Sequence, residues 1–596
     1  MTKIGYLDGF RFYRGLLAGG KEVIRHQDYL NKINVYPVAD ADTGLNLAMT
    51  MQAILARCII SKTLKETLHS VADSALTGAR GNSGIIFAQY LHGLSRELPE
   101  YKMLTVKHFA ESAHKAVRGM YDSLMNPVEG TMLTVIREWA DNLLEQSGKT
   151  TDFIQLLTDS LATAKKSLQE TPAKLKVLAD AGVVDAGASG FVYFLEGVVN
   201  FIHKGSLREQ SFRAEPAETL SFSEVHTEAP GENRYCMEVI LKNCTCALTS
   251  VKGIIGGYGD SVILAGAKEN LHLHIHTSEP DKVYDALLKL SEISYVKVDD
   301  MLRQYQIGNS RNKQIGIITD TACDLPEEML DAYQIARVPF GIAFRQRHYL
   351  DRLTLKAEGF YKLLKRDRAH PVSSQPSPML LKEVVDFTAA HYEKSIAVFI
   401  SDRLSGVYQN ALSLAKQRKN DKVAVINSRQ LSVTEGLVVL RIARAVDEGM
   451  SFEDIVANSE KWIDNTRILT DINTLKYMVR GGRVKPLTGM VAALLNLKPI
   501  VSLDKEGNAL PIGKSFSRRS NMNRIIAMIA NELKHKQVWE YAIVHADALD
   551  RAEEYAMRLS KLIGKKPAYI TSLSPVVGVH NGLGTVGVGV AYDIPS

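Results

Sequence analysis

Long apolar runs, a cysteine framework and a strong charge bias are all missing from this chain of 596 residues. No window approaches the roughly 18 uninterrupted apolar residues of a membrane-spanning helix, so none is expected. Five cysteines (Cys58, Cys236, Cys244, Cys246 and Cys323) are few and odd in number, which excludes a disulfide scaffold and reads as thiols or metal ligands. With 72 basic and 66 acidic residues the formal net charge is +6, too slight to argue for nucleic acid as a partner. The start, MTKIGYLDGF, enters globular sequence with no basic-then-apolar leader, so a cytoplasmic protein is expected. No internal repeat or low-complexity tract is present. A GxxxxGK[ST] phosphate loop is absent, and the carboxy-terminal half has no GxSxG turn. What is there is ordinary globular usage, 45% hydrophobic and 23% charged, in a length that calls for about three or four domains.

Residues 1–203 read as an all-helical bundle. In LKETLHSVADSAL, the residues Leu64, Leu68, Val71, Ala72 and Ala75 recur at helical spacing, and VKHFAESAHKAV, TMLTVIREWADNLL and IQLLTDSLATAKKSL repeat the pattern. Residues 204–232 are polar, proline-containing and aperiodic, a linker composition. The short β-type runs CMEVIL, SVILAG and LHLHIHT, followed by one helix, mark a small α/β domain at 233–301. A second polar stretch, 302–313, reads as another linker. From 314 to 596, IGIITD, ARVPFGIAF, SIAVFIS, KVAVINS and EYAIVHA alternate with helical segments. That predicts a two-lobed α/β domain with largely parallel strands.

The first candidate site is the loop NVYPVADADTGLNL. Asp40 and Asp42 lie two apart, and like charges that close gain nothing in a bare solvated loop. A hard cation between them turns repulsion into binding, and Mg²⁺ takes a few carboxylates plus substrate phosphates. Two glycine-bearing turns, GARGNSG at 78–84 and GVVDAGASG at 182–190, also precede helical runs. Free N–H groups at helix starts, together with Ser83, suit phosphate. Asp, Ser, Thr, Asn and Gly are equally ordinary helix caps, so capping is the competing explanation.

In order and spacing, NVYPVADADTGLNL, GARGNSGIIFAQ, PVEGTMLTVIREWA and LADAGVVDAGASGFVYFLEGV resemble the DhaL-type kinase domain, in the form found in bacterial fatty acid kinase. The resemblance implies an up-and-down helical barrel with ATP and Mg²⁺ at one end. It implies that Asp40 and Asp42 ligate Mg²⁺, with Asn34 at the edge of the loop. Thr43, Asn46, Gly81, Ser83, Gly84, Thr131 and Met132 would line the nucleotide, and Asp185 and Gly187 would close the site. Ala41 departs from the family, which usually has Gly between the aspartates.

In LHLHIHT, His272, His274 and His276 have period two and share one face of a strand. Imidazoles with a thiolate suit zinc, and Cys236, Cys244 and Cys246 are near in sequence; an exposed polar face is the alternative. The stretch resembles the middle domain of the fatty acid kinase subunit, whose Cys and H-x-H-T histidines fall on Cys236, His274 and His276. A structural Zn²⁺ is implied there.

The carboxy-terminal half gathers hydroxyls in VSSQPSP and ISDRLSGVYQNA, a basic turn in RGGRVKP, and His580 before GLGTVGVG. Hydroxyls, an Arg and a His suit a carboxylate through charge-assisted hydrogen bonds, although each turn alone is an ordinary cap or loop. With ITDTACDLP and LNLKPIVSL, these stretches resemble the DegV family of fatty-acid-binding proteins over 314–594. The resemblance implies a buried acyl chain and a carboxylate held by Ser373, Ser374, Ser405, Gly406, Arg483 and His580. Three departures stand out: Ser373 for the usual Thr, HNGLG for HTGPG, and Asp402 where a second Ser is usual. Asp402 puts a negative charge beside a carboxylate site, and the HNGLG loop is less preset.

Together these expectations describe a fused fatty acid kinase, passing the γ-phosphate of ATP to the carboxylate of a bound fatty acid. Asp40, Asp42, Arg483 and His580 would carry the reaction. A homodimer, a downstream acyltransferase as acceptor of the acyl phosphate, and transient contact with a membrane surface complete the expectation. The alternatives are a dihydroxyacetone-type kinase, a lipid carrier or sensor with a nucleotide switch, and a scaffold with structural zinc and ATP.

Overall fold

The computed structural model describes residues 3–36, 42–204, 231–367, 369–417, 422–483 and 498–594. Two compact units are present, Met1–Asn309 and Ser310–Ser596. Among the described residues no helix is long and apolar enough to cross a membrane.

Among its described residues the first unit begins with eleven helices: α1 (Gly9–Arg25), α2 (Gln27–Lys32), α3 (Thr43–Arg57), α4 (Leu64–Gly78), α5 (Gly81–Glu97), α6 (Val106–Ser123), α7 (Met132–Gln146), α8 (Phe153–Gln169), α9 (Thr171–Lys174), α10 (Lys176–Ala181) and α11 (Ala186–Lys204). Helical spacing in the sequence translates directly into burial, since Leu64, Leu68, Val71, Ala72 and Ala75 on α4 are all shut off from solvent. Caps set several starts: the Thr63 hydroxyl accepts from Glu66 N–H, Thr105 from His108 N–H and Asp152 from Ile154 N–H. Met51, Phe87, Trp139 and Phe191 are central to one continuous core.

A four-stranded antiparallel sheet follows, in the order β2–β3–β1–β4, from β1 (Tyr235–Lys242), β2 (Asp260–Ala267), β3 (Asn270–Thr277) and β4 (Glu292–Asp300). Helices α12 (Leu248–Ile255) and α13 (Pro280–Leu287) pack on it. Its other face meets the helical bundle: Ile263 and Ala265 join the bundle core, and Gly266 N–H donates to Gln89 Oε1 at 2.6 Å. Helix α14 (Met301–Asn309) corrects the expected linker at 302–313, which is helical to Asn309. Polarity misled there, because Met301 and Ile307 alone supply its buried apolar contact and Arg303 is buried with them. The expected linker at 204–232 falls largely outside the described residues.

Among its described residues the second unit holds three sheets. β5 (Ile315–Asp320), β6 (Ala336–Val338), β10 (Lys394–Phe399) and β11 (Val423–Asn427) form a parallel sheet in the order β11–β10–β5–β6. β7 (Gly341–Phe344), β8 (Arg347–Leu350) and β9 (Val372–Ser374) form a small antiparallel one. β12 (Thr466–Asp471), β13 (Lys498–Leu503), β14 (Ala509–Ser515), β15 (Val538–His545), β16 (Ile570–Ser572) and β17 (Val586–Tyr592) form a six-stranded sheet. Only β15 and β16 run parallel in it, which corrects the expectation of largely parallel strands. A fully buried strand such as β17 reads as one apolar run in either kind of sheet, so its texture does not reveal direction. The helix Val433–Asp447, buried almost end to end, packs on β5 and on β12, β15 and β17, which joins the two lobes through one core.

Candidate functional site

Four helix starts converge at one end of the bundle. A side chain on Gly81, at the head of α5, would strike Asn46 of α3. One on Gly187, in α11, would lie 2.7 Å from Ser83 Oγ, and 3.4 Å from both Asp185 Oδ1 and Met132 Cε. Gly84 is pressed against Thr50 in the same way. Thr43 Oγ1 donates to the buried Asn34 Oδ1 at 3.0 Å, and Thr131 Oγ1 donates to Val128 O at 2.8 Å. The structure therefore gathers Asn34, Thr43, Asn46, Gly81, Ser83, Gly84, Thr131, Met132, Asp185 and Gly187, while Asp40 lies outside the described residues.

Capping accounts for part of this set. Asp185 Oδ1 accepts from Ala188 N–H at 2.7 Å, and its carboxylate also meets the Met132 N–H, so it ties α7 to α11. Burial pushes its pKa up to about 6 against these hydrogen bonds. Asp42, Arg80 and Thr131, which precede α3, α5 and α7, make no capping bond from their own side chains. Acceptors from elsewhere serve these starts instead: Asn31 Oδ1 accepts from Leu45 N–H at 3.0 Å, Glu238 Oε1 from Gly81 N–H at 3.1 Å, and Asp185 from Met132 N–H.

The histidines of β3 face the bundle. Cys236 stands opposite His276 in register and Glu238 opposite His274. Cys236 Sγ is 3.8 Å from His274 Nδ1, and one ligand atom from each of Cys236, His274 and His276 lies within 4.8 Å of the others. His274 Nε2 is buried without a hydrogen-bond partner. Burial raises the Cys236 thiol well above its usual range, with added contributions from the charges of Glu238, Asp299 and Asp42. Burial and His276 lower His274 to about 3. One sulfur and two uncharged imidazoles amid carboxylates fit Zn²⁺. His272 stands apart, its Nδ1 2.8 Å from Leu76 O, and Cys244 and Cys246 are not in the cluster.

In the second unit Ser373, Ser374, Ser405, Gly406, Arg483 and His580 all line one cavity of about 380 Å³. Its walls include Phe340, Ile400, Leu431, Ile468 and Val501, and Arg483 is its one charged side chain among the described residues. His580 Nε2 is 2.8 Å from Ser373 Oγ, across 207 residues of sequence. Burial, then Arg483 and His370, push His580 down to about 3, so the imidazole is neutral near pH 7. Arg483 bonds to Leu404 O at 3.3 Å and to Gly481 O at 2.7 Å.

Two sequence concerns do not materialise. Asp402 is not among the cavity-lining residues; its carboxylate faces Arg403 at 3.9 Å. The HNGLG loop is held without Thr or Pro: Gly582 and Gly584 take φ of 73° and 75°, and Gly584 N–H donates to Ala546 O at 2.8 Å. Sequence reasoning missed Glu238, Arg80 and Gln375. Glu238 carried a readable signal, since it lies two residues from Cys236 and so shares its strand face.

These features make a tandem of a helical bundle with clustered helix starts, a small α/β domain with a Cys–His cluster, and an α/β domain with a largely apolar cavity. The chain carries, in one polypeptide, a DAK2 domain matched over residues 37–200, a middle domain like that of the fatty acid kinase A-subunit over 232–307, and a DegV-family domain over 314–593. An uncharacterized protein of Staphylococcus saprophyticus is 31% identical over 313 residues, 51% of this chain and 57% of that protein. One of Staphylococcus aureus is 29% identical over 318 residues, with the same coverage. The chain thus spans little more than half the length of these relatives. Among solved structures, DegV, a fatty acid binding protein from Bacillus subtilis, aligns at 24% identity and a TM-score of 0.44, over 47% of this chain and 100% of that one. A fatty acid binding DegV family protein from Streptococcus agalactiae aligns at 25% and 0.44, over 47% and 99%.

Proposed function

We propose that this chain is a fatty acid kinase that holds its own lipid substrate. The carrying observation is the cavity. Six residues scattered from 373 to 580 line one apolar chamber in which, among the described residues, Arg483 is the one cation, which suits a long acyl chain ending in a carboxylate. A dihydroxyacetone-type kinase would have no use for that chamber.

A carboxylate is already ionised near neutral pH, so no general base is required. Its oxygen attacks the γ-phosphorus, the bond to the β,γ-bridging oxygen breaks, and ADP leaves with that electron pair. Arg483, Ser373 and Ser405 orient the carboxylate, and neutral His580 fixes the Ser373 hydroxyl. Asp40 and Asp42 are the residues to hold Mg²⁺, which would neutralise charge on the phosphates. A zinc ion on Cys236, His274 and His276 would clamp β1 to β3. The remaining N–H groups in the first turn of α5, with Ser83, would receive phosphate.

The test is ADP release from MgATP by the purified full chain, with and without oleate, with acyl phosphate trapped as its hydroxamate. Oleate-dependent ADP matched by hydroxamate is expected. Turnover that ignores oleate, or none at all, overturns the reading.

A further inference from the structure

Glu238 is buried at the join of the small sheet and the helical bundle, both within the first unit. Its Oε2 accepts from Arg80 Nη1 at 2.7 Å and its Oε1 from the Gly81 N–H at 3.1 Å. Those residues are the last before α5 and the first within it. The same corner is fixed from the bundle side, where Arg80 N–H donates to Thr50 Oγ1 at 3.2 Å. Gly81 takes φ of 57°, a conformation that needs glycine, with Asn46 filling the space where a side chain would go.

We propose that Glu238 is a positioning residue for the nucleotide site: from β1 it holds the Arg80–Gly81 corner, and thereby sets the first turn of α5 in the shape that receives phosphate. The inference rests on reading that turn as part of the nucleotide site. It also revises the role of Gly81. The Gly81 N–H is committed to Glu238, so phosphate contact falls to Asn82, Ser83 and Gly84. A carboxylate beside a phosphate site would repel the ligand if left bare. Arg80 balances it, and the ion pair is nearly sealed, with side chains 12% and 6% exposed.

The placement also connects two sites. Glu238 lies two residues from Cys236 and directly opposite His274, so the Cys–His cluster and the latch share one strand pair. Whatever orders β1 against β3 orders the carboxylate that shapes the turn.

The experiment measures MgADP affinity by calorimetry on the full chain and on Glu238→Ala, Glu238→Gln, Arg80→Gln and the Glu238→Gln/Arg80→Gln pair. Glu238→Ala is expected to weaken binding by about tenfold or more, and Glu238→Gln by less, because it keeps an acceptor for Gly81. The paired substitution is expected to fall short of the sum of the singles. Amide exchange at 80–84 should rise in Glu238→Ala while oleate affinity and bound zinc per chain stay at the wild-type level, which a merely destabilised protein would not do. MgADP affinity within about twofold of wild type in Glu238→Ala overturns the proposal. If that variant fails to fold, unchanged affinity in both Glu238→Gln and Arg80→Gln overturns it equally. A wild-type chain that binds no MgADP overturns the nucleotide site and the latch together. One that binds MgADP but never phosphorylates oleate overturns the kinase reading alone, and the variants still judge the latch.

Discussion

A neutral histidine and a charged arginine share the lining of the cavity proposed to hold the acyl chain, and they serve it differently. Arg483 supplies charge, while His580 supplies a fixed hydrogen-bonding partner for Ser373. Arg483→Met should therefore weaken oleate binding by about tenfold to a hundredfold, since a charge-assisted hydrogen bond contributes about 1.5–3 kcal/mol. Titration calorimetry on the full chain checks this, and affinity within about twofold of wild type would remove Arg483 from the carboxylate site. At this scale much of the cavity was legible, though only through its resemblance to a known pattern. Ser373 and His580 are 207 positions apart, and no local periodicity links them. Asp402 shows the opposite failure: a residue in the right motif points its charge to Arg403 and not into the chamber. Glu238 was overlooked because an acidic residue in an alternating strand looks like the solvent side, whereas here that side packs on the bundle.

The helix Pro575–Asn581 brings His580 to the cavity, and buried acids anchor its start. Asp324 Oδ1 accepts from Ser574 N–H at 2.9 Å and Asp351 Oδ1 from Val576 N–H at 3.2 Å. Burial raises Asp351 to about 7, against the opposing pull of Arg352. Between an unfolded value near 3.8 and about 7, the folded state binds the proton that the unfolded chain has released. Stability from this group is therefore highest at acid pH and declines as pH rises through that window. Asp351→Asn keeps an acceptor for Val576 and removes the charge. Its melting temperature should fall less than wild type's between pH 5 and 8, by about 4 °C or more, in a fluorescence melt. Parallel profiles would show that Asp351 is not the titrating group. Helices were the readily legible elements because amphipathic spacing on α4 maps one to one onto burial. Strand direction was not, since the antiparallel strands β12 and β17 and the parallel strands β5 and β10 are all buried nearly end to end.

Three segments of distinct texture correspond to three domain types, so the plan of the molecule was legible from hydrophobic pattern alone. What pattern missed was how closely the small sheet joins the bundle. Two units result, not three, and polar contacts through Gln89, Glu238 and His272 form part of that join. Such contacts look like surface residues in a linear sequence. Ligands should accordingly act on separate parts of a thermal unfolding trace. Oleate should raise only the transition of the second unit, and a zinc chelator should lower only that of the first. Differential scanning calorimetry of the full chain is the check, and one transition that moves with both additions would contradict the division.

Arg483, the one cation lining the cavity among the described residues, also bears on what would follow phosphate transfer in the proposed reaction. A free fatty acid head carries one negative charge, whereas an acyl phosphate carries about two. A chamber matched to the first is electrostatically unbalanced by the second, while the tail keeps the same apolar surroundings. On the proposed kinase reading, the product would be held by its chain and disfavoured at its head, a bias toward passing on the reactive mixed anhydride.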